Sequence, residues 1–135
     1  MSFAAGMKPV EDALRTGVIA AGYNAVLVKD REFSDGIVDR VYAEVRRSHF
    51  VVGDFTENNN GAYLEAGFGL GLGLRVIGTC EGGQLDPASK NRVHFDVRGM
   101  NIIAWERDNL DDLTQRLKQR ILALFPQGPV KPEQR

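Results

Sequence analysis

The chain has 135 residues, 17 basic and 18 acidic, for a formal net charge of −1. So close a balance, with no long run of one sign, builds no field for a polyanion and sets nucleic-acid binding aside. No apolar run reaches the roughly 18 residues of a membrane span, the N-terminus carries no signal-peptide pattern, and the lone Cys80 has no internal disulfide partner. These features predict a soluble cytoplasmic protein of one domain, with no membrane or nucleic-acid partner.

In chain order, Val10, Ala13, Leu14, Val18 and Ala21 recur at helical spacing, and Gly22 follows as a stop signal. Tyr23–Val28 reads as a strand. Ser34 or Asp35 is placed to cap a second helix, with Ile37, Val41, Ala43 and Val45 on its packed side and Asp39, Arg40, Glu44 and Arg47 on its wet side. Arg46-Arg47 closes it as a solvated helix end rather than a phosphate site. Phe50–Gly53 is a continuous apolar run, as expected of a strand covered on both faces.

Gly61–Gly73 is the third helix and Leu74–Thr79 the next strand. Cys80–Arg92 reads as a long loop, with turn signals at Gly82-Gly83 and Asp86-Pro87. Asn101–Trp105 is a last short strand. Asp108–Phe125 is an amphipathic helix with Leu110, Leu113, Leu117, Ile121 and Leu124 inward. The Pro-, Gln- and charge-rich stretch 126–135 is expected to be a flexible tail on a domain spanning 1–125.

Alternating strands and helices of these lengths predict an α/β fold with a parallel sheet. Right-handed crossovers make a doubly wound, flavodoxin-like order the simplest topology. The first helix has only Met1-Ser2-Phe3 before it, so the first strand is truncated or absent in this chain. The expectation is that the natural protein starts upstream or that a neighbouring chain fills the slot.

The chemistry concentrates between Val51 and Gly69. Asp54 ends its strand, where a side chain reaches the crevice at the C-terminal edge of a parallel sheet. As a catalytic residue it can bind ribose hydroxyls, hydrogen-bond the base or assist protonation of the leaving base; otherwise it caps the following turn with Thr56. Asn58, Asn59 and Asn60 are turn residues by propensity, with amides able to meet sugar hydroxyls. Glu65 is the single acid of the glycine-rich helix, near its start, among Tyr63, Leu64 and Phe68. A carboxylate held there can stabilise or bond to an anomeric carbon as an N-glycosidic bond breaks, while Tyr63 and Phe68 pack on a ring or exclude water. The plainer alternative makes Glu65 a solvated or capping acid. Ala62, Ala66, Gly69 and Gly73 form a small-residue ridge that suits tight packing against the sheet or a subunit.

Farther along, His94-Phe95-Asp96-Val97-Arg98 offers Asp96 and Arg98 to the pocket, or to each other as an ion pair. His49 reads as a strand-end residue. Two distant histidines and one cysteine make no metal-ligand spacing. Gly69-Leu70-Gly71-Leu72-Gly73 lies inside a helix and so is no dinucleotide fingerprint. No cofactor is expected.

Asp54-Phe55-Thr56 followed by Tyr63-Leu64-Glu65-Ala66-Gly67-Phe68 resembles the nucleoside 2-deoxyribosyltransferase superfamily, and the likeness runs from Met1-Ser2-Phe3 to about Trp105. It implies a flavodoxin-like fold with Glu65 as glycosyl nucleophile. Asp54 and Asn58–Asn60 would contribute to the sugar and base site, Phe3 would wall the pocket, and oligomers would share active-site residues. Asn59 stands where characterised transferases carry an acid, and Gly61 where many relatives carry an asparagine. The activity implied is N-glycosidic transfer or hydrolysis on a nucleoside or nucleotide. Two alternatives remain: a silent module that binds a nucleotide or signal metabolite, and NAD glycohydrolysis of the Toll/interleukin-receptor type.

Overall fold

The computed structural model describes residues 6–27, 37–90, 92–93 and 100–129. Phe3, Ser34, Asp35, Asp96 and Arg98 lie outside them, as does the His94–Arg98 segment as a whole. In order come α1 (Lys8–Ala20), α2 (Ile37–Arg47), β1 (Phe50–Asp54), a 3₁₀ turn (Thr56–Asn58), α3 (Asn60–Gly71), β2 (Arg75–Glu81), a second 3₁₀ turn (Gly82–Leu85), β3 (Ile103–Trp105) and α4 (Leu110–Leu124). The three strands form one parallel sheet in the order β1-β2-β3. The chain divides into two compact units, one containing Leu27–Ala104 and the other Ala4–Val26 with Trp105–Arg135.

In the first unit β1 runs parallel to β2 in a register that pairs Val51 with Val76, Gly53 with Gly78 and Asp54 with Thr79. Side chains alternate across a strand, so Val51, Gly53, Val76 and Gly78 share one face, and α3 lies on it. Its buried stripe is Ala62, Ala66 and Gly69. A Cβ on Gly69 would come 3.0 Å from Val51 Cγ2 and 3.3 Å from Val76 Cγ2, so the ridge predicted from sequence is used against the sheet. Gly73 is not part of it. At φ +80° it follows the helix, and the Gly73 and Leu74 amides bond back to Leu70 and Gly69 in a Schellman close. Beside α3, α2 buries Val41 and Val45 in a cluster with Val51, Phe68, Leu74 and Val76. Glu44, expected on the wet side of α2, keeps only 14% side-chain exposure beside Arg47.

In the second unit α1 packs on α4 through Leu113, Leu117 and Ile121, all fully buried. The helices come so close at Gly17 that an added Cβ would lie 3.0 Å from the Thr114 carbonyl oxygen. The Thr114 hydroxyl donates to the Ala13 carbonyl at 2.8 Å. Gly22 stops α1 as expected, at φ +100°, but the strand expected at Tyr23–Val28 does not form over the described 23–27. The Tyr23 amide is committed to the Val18 carbonyl at 3.2 Å, closing the helix rather than opening a ladder.

The outer glycines of α3 test this packing. Gly67 and Gly71 are exposed, with open space where a Cβ would go. Gly67→Ala and Gly71→Ala should each stabilise the fold by about 0.5–1 kcal/mol in urea unfolding. Gly17→Ala should destabilise it, because a backbone carbonyl cannot swing aside as a side chain can.

Candidate active site

Asp54 is fully buried, and its carboxylate is already occupied. Oδ1 accepts the Thr56 amide at 3.1 Å, and Oδ2 accepts the Thr79 hydroxyl at 2.7 Å. The second bond follows from register, since Thr79 is the neighbour of Asp54 across the ladder. Thr56 in turn accepts the Glu81 amide on its Oγ1 at 3.1 Å. Cys80, expected in a loop, belongs to β2 and is fully buried. Burial, with the charge of Asp54 adding, pushes its thiol up to about 12. A thiol held protonated in this way is no nucleophile at neutral pH.

The turn after Asp54 is unusual. Glu57 and Asn58 both take positive φ, at 58° and 52°. Asparagine tolerates that region, whereas glutamate occupies it at a cost of order 1 kcal/mol. The turn is held from several sides. The Glu57 amide donates to the Gln84 side chain. The Tyr63 hydroxyl donates to Asn58 Oδ1 at 2.8 Å. The Tyr63 ring stacks on Phe55 with centroids 4.9 Å apart and planes 15° from parallel. Phe55 lies across Gly53 and Gly78, where a Cβ on Gly78 would meet its ring at 2.8 Å.

Asn59 caps α3, its Oδ1 accepting the amides of Gly61 at 2.9 Å and Ala62 at 3.3 Å. Asn60 is the first residue of the helix and exposed. The amides of the three asparagines thus take separate tasks: one anchors Tyr63, one caps the helix, and one faces solvent.

Glu65 is half-buried, and burial raises its carboxyl above the ordinary glutamate range. Among the described residues no hydrogen bond or ion pair to its carboxylate is found. Its direction follows from helix phase. At about 100° per residue it lies about 60° to one side of the Ala62/Ala66/Gly69 stripe, and Tyr63 about 100° to the other. Phe68 falls on the Glu65 side. There Tyr42 of α2 meets the Phe68 ring at 4.4 Å between centroids, and the Arg46 guanidinium sits 5.7 Å from it. Glu65 and Phe68 therefore share one flank of α3, while Tyr63 and Asn58 share the opposite flank. Asp54, whose neighbour Gly53 faces α3, points to the other face of the sheet.

The sequence singles out Asp54, Glu65 and the asparagine turn but gives no sign that Tyr42 and Arg46 lie beside Phe68, or that Thr79, Gln84 and the ring of Phe55 hold the turn. Only the Asp-hydrophobic-Thr spacing hinted at Phe55. Among the described residues no group of histidine, cysteine and acidic side chains is arranged to hold a metal ion. Among the described residues no helix is long and apolar enough to cross a membrane. No family model, curated protein or solved structure matches the chain.

Two outcomes are expected. Asp54→Ala orphans two buried donors and should cost about 1–3 kcal/mol for each in chemical unfolding. For Glu65 the folded pKa lies above the unfolded one, so its contribution to stability is full in acid and is lost as pH rises through the folded value. Glu65→Gln should therefore gain stability over the wild type as pH rises from about 4 toward neutral, with no gain at the acid end. Unfolding midpoints across that range measure it.

Proposed function

We propose that the chain is an N-glycosidic transferase or hydrolase acting on a nucleoside or nucleotide, with Glu65 as the nucleophile. The observation that carries this reading is the contrast between the two acids. Asp54 has both oxygens committed to the fold, whereas Glu65 is half-buried with a raised pKa and no described partner. A desolvated carboxylate with no hydrogen bond among the described residues, on the helix that follows a parallel strand, is the kind of group that performs chemistry in α/β folds. The fold that goes with this reading is a doubly wound, flavodoxin-like sheet whose order extends beyond the three strands described, in a cytoplasmic protein that works as a homo-oligomer.

The reaction has two steps. The Glu65 carboxylate forms a bond to the anomeric carbon as the bond from that carbon to the base nitrogen breaks. The base leaves with the electron pair and takes a proton from solvent. A second base or water then displaces the carboxylate, giving transfer or hydrolysis. Phe68 and Tyr42 would shield this flank from water. Asp54 acts as a positioning residue, through the turn it ties to β2.

A binding module without turnover is the second reading, favoured by Asn59. Where the resembling transferases hold an acid, this chain holds an amide whose oxygen is spent on the helix cap.

Chromatography of free base, after incubation with nucleosides, nucleotides and NAD with or without an acceptor base, tests the first reading. Base release should vanish in Glu65→Ala. The acid limb of its pH profile should lie above the ordinary glutamate range, because the ionised form is the active one. Release that persists at wild-type rate in the variant would falsify the assignment. Ligand-dependent stabilisation without release would favour the binding module.

A further inference from the structure

Two buried side-chain polar atoms among the described residues have no hydrogen-bond partner, Asn59 Nδ2 and Arg92 Nε. Both are donors. Neither can be relieved by turning the side chain over: the Asn59 oxygen is fixed by the two amides it caps, and a guanidinium has no acceptor to offer. An unsatisfied buried donor is costly, more so when charged, and native proteins keep few of them.

The two donors lie at the same end of the sheet. Asn59 follows the C-terminal end of β1, and Arg92 follows that of β2, which runs parallel to it. The loop carrying Arg92 folds back on the Asn59 turn. The Val93 amide donates to the Gln84 carbonyl at 3.1 Å, and the Gln84 side chain accepts the Glu57 amide. Both residues also border one apolar cluster: Val93, next to Arg92, and Ala62, capped by Asn59, pack with Phe55 and Tyr63. This is the Tyr63 flank of α3, not the flank of Glu65.

We propose that Arg92 and Asn59 bind an oxyanion, a phosphate group, at the C-terminal edge of β1 and β2. Arg92 is only half-buried, so its outer edge is open to a ligand while its Nε is shut from water. No ion pair among the described residues neutralises it. A planar fork of donors matches the oxygens of phosphate, and an amide N–H₂ adds a neutral donor to the same anion. The phosphate is either free or part of a nucleotide. The inference does not require Glu65 to be catalytic.

Calorimetric titration of the full chain with inorganic phosphate, AMP and adenosine, in phosphate-free buffer at low salt, tests it. AMP should bind about tenfold or more tightly than adenosine, the worth of a charge-assisted contact. Arg92→Gln should erase that preference. Asn59→Asp keeps the helix cap but replaces the donor with a negative charge, and should erase it too. Arg92→Lys, which keeps charge without the fork, should retain part of it, and serves in place of Arg92→Gln if that variant fails to fold. Glu65→Gln should leave the preference intact, which separates this inference from the glycosyl-transfer reading. Tight binding of inorganic phosphate alone assigns the site to the free anion, and a preference for AMP over phosphate assigns it to a nucleotide. Equal binding of AMP and adenosine without binding of inorganic phosphate, no binding of phosphate or AMP, or phosphate or AMP binding unchanged in Arg92→Gln overturns the proposal.

Discussion

A carboxylate removed from water must be satisfied by donors, and the way Asp54 is satisfied sets the path of the chain that follows. One oxygen takes the Thr56 amide and bends the backbone out of β1; the other takes the Thr79 hydroxyl and pins that bend to β2. Thr56 then accepts the Glu81 amide, so the first residues beyond both strands are fixed to each other. The left-handed pair Glu57-Asn58 persists only because this frame and the contacts of Gln84 and Tyr63 over-determine it. The start of α3, and so the position of Glu65, is inherited from these bonds.

The helix itself contributes little to its own stability. Gly61, Gly67, Gly69 and Gly71 disfavour it, and Glu65 is its only charged residue. It stands because Ala62, Ala66 and Gly69 meet the sheet without side chains in the way and because Asn59 satisfies its first amides. Against that background a half-buried glutamate is a net cost at neutral pH. A fold that tolerates such a cost in a helix already short of intrinsic stability follows the usual trade of stability against function.

Much of the frame was legible in the residues. The apolar run of β1, the small-residue stripe of α3, the stops at Gly22 and the packed positions of α4 each follow from a local rule. What escaped was set by tertiary pairing. Cys80 reads as loop because nothing local shows that the Glu81 amide would find Thr56 and prolong β2. Tyr23 reads as strand because its aromatic, β-favouring neighbourhood outweighs one amide that the helix close consumes. For the candidate site, Asp54 and Glu65 were visible as acids but not as acids on different faces. That separation depends on the phase of α3, which is fixed only once its Gly69 rests on Val51 and Val76. Arg92 and Gln84 were unremarkable until the loop after β2 was seen to return to the Asn59 turn.

The resulting arrangement is one acid that builds the turn, one half-buried acid with no hydrogen bond among the described residues, and an amide that caps α3. Glu65 as a glycosyl nucleophile requires a bond from its carboxylate to an anomeric carbon. Intact-mass and peptide mapping after incubation with 2′-fluoro-substituted nucleosides and nucleotides, whose fluorine slows breakdown of a glycosyl ester, tests it most directly. A glycosyl mass increment confined to the peptide carrying Glu65 is the expected result. Base release with no adduct, or an adduct on any other residue, would contradict it.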